Sequence, residues 1–141
     1  MRIAYGTDEV TPLTEAIAGT LGQWGHQVDQ VGTGDEWPEV GRRVGEAVAG
    51  GRADLGVVWC FTGTGVSIAA NKVPGVRAAL CVDATTASGA RRWNDANVLA
   101  LSLRVTAPTV AEEIVRAFLE TEVDPAERGA ISRVEPSRIS S

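Results

Sequence analysis

Short apolar runs alternate with stretches of helical periodicity along most of the chain, and that alternation leaves few folds open. Residues 2–6 (RIAYG) form the first apolar run and end at a glycine, as a buried strand entering a turn does. From Thr11 the period changes. Leu13, Ile17, Leu21 and Trp24 recur at spacings of four and three, which predicts a helix with one buried face. Thr11 is suited to cap that helix, Pro12 to its first position, and Gly25 to stop it. Residues 27–31 (QVDQV) read as a half-buried strand, followed by the loop GTGDEWP. Pro38 opens a second helix with Val40, Val44, Ala47 and Val48 on one face, closed by Gly50 and Gly51. Residues 54–60 (DLGVVWC) read as a strand buried on both faces. A glycine-rich segment at 62–65 and a short helix follow. Then come a strand over 76–82, a helix over 85–93, a strand over 97–101 and a helix over 109–120.

This order predicts an α/β fold: a three-layer, Rossmann-like, doubly wound sheet of about five parallel strands. With 141 residues the chain can close one core without disulfides, so residues 1–122 are expected to form a single domain. The tail, residues 123–141, shows little pattern and is a candidate to pack on a neighbouring subunit. A net charge of −5 argues against a nucleic-acid partner held by phosphate neutralisation. No apolar run approaches the length of a membrane span, and the start lacks a signal-peptide core, so a soluble cytoplasmic protein is expected.

Open α/β sheets bind ligands at the carboxyl ends of their strands. Three stretches are singled out on that basis: 6–9, 60–67 and 93–97. In the second, Cys60 to Ser67 runs from a strand into a helix, and its glycines let amide N–H groups converge on an anion or a developing oxyanion. It is neither a Walker A loop nor GxGxxG, which disfavours a nucleotide-binding domain. Cys60 beside a helix start can act as a thiolate base; the competing reading is a buried Cys packed as a small hydrophobe, which is the expectation for Cys81. Asp8 and Glu9 are either an acid/base pair or ordinary loop carboxylates. The one histidine, His26, falls in a turn ahead of the second strand, so no His-based triad or metal site is expected. Most of the four Trp (24, 37, 59, 93) are expected in the core or an interface.

Taken together, these loops resemble the ribose-5-phosphate isomerase B / galactose-6-phosphate isomerase family over residues 2 to about 122. Cys60-Phe61-Thr62-Gly63-Thr64-Gly65-Val66-Ser67-Ile68-Ala69-Ala70-Asn71-Lys72 is similar to the family's C-G-T-G-x-G-x-S-I-A-A-N-K. RIAYGTDE, EWPEVGRRVGEAVAGG, VPGVRAAL and Trp93-Asn94-Asp95-Ala96-Asn97-Val98-Leu99 match in the same order.

The resemblance implies an aldose–ketose isomerase working through a cis-enediolate, without metal or organic cofactor. It implies Cys60 as the base moving a proton between C1 and C2. The amides of Gly63, Thr64, Gly65, Val66 and Ser67 would hold the enediolate oxygen, and Thr62 would assist ring opening. Asp8 and Asn94 would hold sugar hydroxyls, Trp37 would line the pocket, and Arg104 and Arg133 would bind the substrate phosphate, one of them from the neighbouring chain. It also implies a homodimer or homotetramer with a shared site.

Four departures bear on substrate. Glu9 stands for the His of the usual Asp-His pair, Trp93 for the His of His-Asn-Asp, and Phe61 for the first loop Gly. Arg128 and Arg133 are five apart where the family's pair is four apart. A desolvated carboxylate at 9 repels a phosphate dianion. Loss of an imidazole removes a general acid worth roughly 10²–10⁴-fold. The expected substrate is therefore a sugar or sugar phosphate of the pentose 5-phosphate type, altered from ribose 5-phosphate. A non-catalytic sugar-binding paralogue, or one subunit of a hetero-oligomeric isomerase, is the alternative.

Overall fold

Five strands form, and every pairing between them is parallel. They are β1 (Arg2–Thr7), β2 (Gln27–Gln30), β3 (Leu55–Cys60), β4 (Ala78–Leu80) and β5 (Val98–Ser102). The computed structural model describes residues 1–135. Between the strands run α1 (Pro12–Gln23), α2 (Trp37–Ala49), α3 (Thr64–Asn71) and α4 (Ala84–Asn94), and α5 (Pro108–Glu120) follows β5.

The strand order is β2-β1-β3-β5-β4. The chain steps from β1 to one side for β2, then returns across β1 for β3. The switch point therefore opens at the carboxyl ends of β1 and β3, where ligands of such sheets bind. Two cores follow from the period-2 alternation of the strands. Ile3, Tyr5, Val57, Trp59, Leu99 and Leu101 face α1, α4 and α5. Ala4, Val58, Cys60, Val98 and Ala100 face α2 and α3.

Local chemistry sets the element ends much as the sequence suggests. The Thr11 hydroxyl accepts from the Thr14 amide at 3.1 Å, and the Thr14 hydroxyl accepts from the Thr11 amide at 2.9 Å. That reciprocal cap fixes the start of α1. Gly25, at φ +91°, ends it. A buried polar chain ties β3 to β1 and α1: Trp59 Nε1 donates to Tyr5 Oη at 2.8 Å, and Tyr5 Oη donates to Thr14 O at 2.6 Å.

Of the four Trp, Trp59 is fully buried and Trp24 is partly buried against the same core, while Trp37 and Trp93 are 45% and 54% exposed on this chain. One expectation is corrected. The stretch 93–97 is not at the carboxyl ends of the strands. α4 runs back against the sheet direction, so its last turn and Asp95-Ala96-Asn97 sit where β5 begins. The tail packs on its own chain as far as it is described. The Asp124 amide donates to Arg92 O at 2.8 Å, a short 3₁₀ turn (Pro125–Glu127) and α6 (Arg128–Ile131) follow, and Glu135 pairs with Arg77 at 3.1 Å. Residues 136–141 of the expected tail segment lie outside the described residues.

Candidate active site

The site is built where β1 and β3 end. Thr7 pairs with Trp59 in the ladder, so Asp8 and Cys60 come next on adjacent strands. Along β1 the face toward α2 and α3 carries Ala4 and Gly6, and the alternation continues to Asp8. Along β3 the same face carries Val58 and Cys60. A carboxyl and a thiol thus leave neighbouring strands on one side.

Asp8 Oδ1 is buried and has no hydrogen-bond partner among the described residues. Native structures rarely leave a buried polar atom unpaired, so such an atom marks a place for a ligand group. Burial raises the Asp8 carboxyl above its usual range, and the Glu9 charge adds to the rise, against the Glu9 backbone amide, which lowers it. The rise has a stability consequence with a definite sign. The unfolded carboxyl ionises near 3.8. As pH climbs from there through the higher folded value, the native state must give up a proton it binds more tightly than the unfolded chain does. Ionised Asp8 therefore penalises the fold at neutral pH. Asp8→Asn is expected to raise the melting temperature at pH 7 by a few degrees and to leave it unchanged near pH 3. Melting curves at both pH values check this.

Cys60 is 5% exposed and packs with Ala4, Val66 and Ala100. Cys81 is fully buried on the opposite face, as expected of a structural Cys, and burial pushes its thiol up to about 11.

After Cys60 the chain turns into α3. Gly63 caps that helix at φ +77°, and a Cβ there would meet Leu80 Cδ1 at 2.5 Å and the Leu101 carbonyl at 3.0 Å. No other residue fits this turn. The first backbone bond of α3 runs from the Ser67 amide to Gly63 O at 3.2 Å. The amides of Thr64, Gly65 and Val66 are thus left without an intrahelical acceptor, at the positive end of the helix dipole. Val66 contributes only its backbone, since its side chain is fully buried. The Thr62 and Thr64 hydroxyls bond each other at 2.7 Å beside these amides. Trp37 lies flat on the loop: a Cβ at Gly65 would come within 2.9 Å of its ring. Close approach of the indole, rather than backbone conformation, is what requires a glycine at 65. Arg104, just past β5, is tied to the same loop by its amide, which donates to Phe61 O at 2.9 Å.

The expected site residues divide into two groups. Asp8, Glu9, Trp37, Cys60, Thr62, Gly63, Thr64, Gly65, Val66, Ser67 and Arg104 gather at the carboxyl end of the sheet. Trp93 and Asn94 are at the amino end, and Arg133 comes two residues before the Glu135 that meets Arg77 there, ahead of β4. Trp93 folds back on its own helix, where a Cβ at Gly89 would meet its ring at 2.7 Å. The sequence reading missed Arg77, Arg91 and Asp95, which interlock at this end. Their only signal was the conjunction of charged residues with a strand start and a helix end. Among the described residues no cluster of His, Cys, Asp and Glu is arranged to hold a metal. No helix among them is long and apolar enough to cross a membrane.

The ribose/galactose isomerase model matches residues 3–135. The chain belongs to that family. Within it, the galactose-6-phosphate isomerase subunit LacB of Clostridium acetobutylicum is 42% identical over 130 residues, which cover 89% of this chain and 75% of the relative. The D-erythrulose-4-phosphate isomerase of Pectobacterium atrosepticum is 37% identical over 88% of this chain and 86% of its own. The solved ribose-5-phosphate isomerase B of Clostridium thermocellum superposes with a TM-score of 0.90 at 38% identity, covering 95% of both chains. Family members thus share the Rossmann-like sheet described above.

Proposed function

We propose that the protein is an aldose–ketose isomerase acting on a sugar phosphate through a cis-enediolate, with Cys60 as the base. Starting from the aldose, the Cys60 thiolate takes the proton from C2, and the released electron pair forms the C1–C2 double bond as negative charge moves onto O1. A proton passes from O2 to O1. The thiol then returns its proton to C1, leaving a carbonyl at C2. The two carbons exchange oxidation level, so no external oxidant or reductant takes part. Charge on the enediolate oxygen is met by the free amides of Thr64, Gly65 and Val66. Asp8 binds a sugar hydroxyl, with Glu9 beside it, and Thr62 assists ring opening where the substrate is cyclic. Trp37 lines the pocket, and Arg104 meets the phosphate.

The observation that carries this reading is the adjacency of Cys60 to the unpaired Asp8 Oδ1 at the open start of α3. Trp93, Asn94 and Arg133 join this site when a second copy of the chain supplies them, in a homodimer or homotetramer. The apolar rim supports such a partner: Phe61 and Ile68 are 60% and 57% exposed beside the half-exposed Trp37.

The three relatives act, by their names, on six-, five- and four-carbon phosphates. The chain has one histidine, His26, half-buried on the β2 edge beside Trp24 and Arg116. Neither group of site residues therefore holds an imidazole to open a sugar ring. A four-carbon sugar esterified on its terminal oxygen has no hydroxyl left to close a furanose, so it needs no such acid. The favoured substrate is of the D-erythrulose 4-phosphate class. In a steady-state panel of phosphorylated and free sugars, kcat/KM is expected to be at least about tenfold higher for the four-carbon phosphate than for ribose 5-phosphate. Full activity on ribose 5-phosphate with nothing gained elsewhere removes that preference. Two observations favour a second reading, a non-catalytic paralogue or one part of a hetero-oligomer: the low exposure of Cys60, and a relative that is itself named as a subunit. A pure homo-oligomer inactive on the whole panel supports that alternative.

A further inference from the structure

At the amino end of the sheet, the groups assigned to substrate come from two segments far apart in sequence: the end of α4 and the tail. One guanidinium joins them. Arg77, just ahead of β4, has a side chain only 20% exposed. Its Nε donates to Asp95 O at 2.7 Å and its Nη2 to Asp95 Oδ2 at 3.3 Å, while its Nη1 donates to Glu135 Oε1 at 3.1 Å. The Arg77 amide donates to Asn97 Oδ1 at 2.7 Å. Arg91 takes the other carboxylate oxygen of Asp95 at 3.4 Å and also donates to Ala96 O.

Asp95 caps α4 at φ +47°, the only non-glycine residue with positive φ among the described residues. A side chain tolerates that conformation only where its surroundings over-determine it. Here two arginines do so, and the sharp turn they hold comes directly after Trp93 and Asn94.

We infer that Arg77 is a positioning residue for the amino-end group: by gripping Asp95 and Glu135 together it fixes the spacing between Asn94 and Arg133. The inference rests on the proposed function, because it requires Asn94 and Arg133 to touch a sugar phosphate. The two arms of the clamp separate positioning from stability. Asp95, 30% exposed and bonded to both Arg77 and Arg91, holds the fold of its turn. Glu135 is 40% exposed, and an ion pair so open to solvent adds little to stability. Any loss on cutting the Glu135 arm therefore reports on where Arg133 stands.

The test uses the full chain carrying Glu135→Gln, Arg133→Ala or both, with steady-state kinetics on the best sugar phosphate and a melting curve for each. Glu135→Gln is expected to raise KM roughly three- to tenfold with kcat and Tm unchanged, and to add nothing once Arg133 is alanine. Arg77→Lys keeps the charge but cannot bridge both partners, so it is expected to give the same KM rise. An unchanged KM for Glu135→Gln, or a rise that persists in full without Arg133, overturns the inference while leaving the isomerase reading intact. A wild-type chain inactive on every sugar phosphate overturns both.

Discussion

Cys60→Ser is expected to lower kcat about 10³-fold or more at neutral pH, with a melting temperature within a few degrees of wild type. The two side chains differ by one atom and are close in size, so the packing with Ala4, Val66 and Ala100 survives. The acidity differs greatly. A thiol ionises near 8.5 in an ordinary setting, whereas a serine hydroxyl stays protonated at any working pH. Without an ionisable base, the C2 proton has no acceptor and the reaction stops before the enediolate. KM should change little, because the hydroxyl-binding and oxyanion-binding groups remain. A fall of less than tenfold would mean that another group accepts the proton, with Asp8, its neighbour across the ladder, the first to examine.

The second large effect concerns assembly. Cys60 and Asn94 stand at opposite ends of one sheet, so a site using both draws them from different chains. Take a chain with Cys60→Ala and another with Asn94→Ala and Arg133→Ala, each inactive as a homodimer. Refolded together in equal amounts, half of the dimers are mixed. In each mixed dimer one site has lost all three groups, and the other has every wild-type group. Activity should return to about a quarter of the wild-type level. If every site were built within one chain, mixing would restore nothing. Rates measured before and after co-refolding, against the unmixed variants, read this directly.

The elements of the sheet were legible because each carries its own period and its own punctuation. Thr11 and Pro12 mark α1, and the buried run LGVVWC marks β3. The glycine loop was legible for a chemical reason: Gly63 is needed at positive φ against Leu80 and Leu101, and little else can occupy it. The order of the strands was not legible. β4 and β5 are both short and apolar in sequence, yet β5 is buried throughout and takes the inner position, while β4 is half-buried at the edge. Neighbours on both sides decide that, and no local pattern encodes it. Proximity to a strand in sequence suggests a place for 93–97 at the ligand-binding end of the sheet, but it does not carry the direction of the chain. Residues that lead into a parallel strand lie at its amino end. The Arg77–Asp95–Glu135 clamp was invisible for a related reason, since its members are 18 and 58 residues apart in separate elements.

The most direct test of a sulfur base is the fate of the substrate's C2 proton in D₂O, followed by proton NMR on the best aldose phosphate. With wild-type protein, the C2 signal should decay as ketose forms, with solvent deuterium entering at C1 in competition with internal return of the same proton. With Cys60→Ser, the C2 signal should persist over the same period and no deuterium should enter either carbon. Loss of that signal at the wild-type rate in the serine variant would contradict the account.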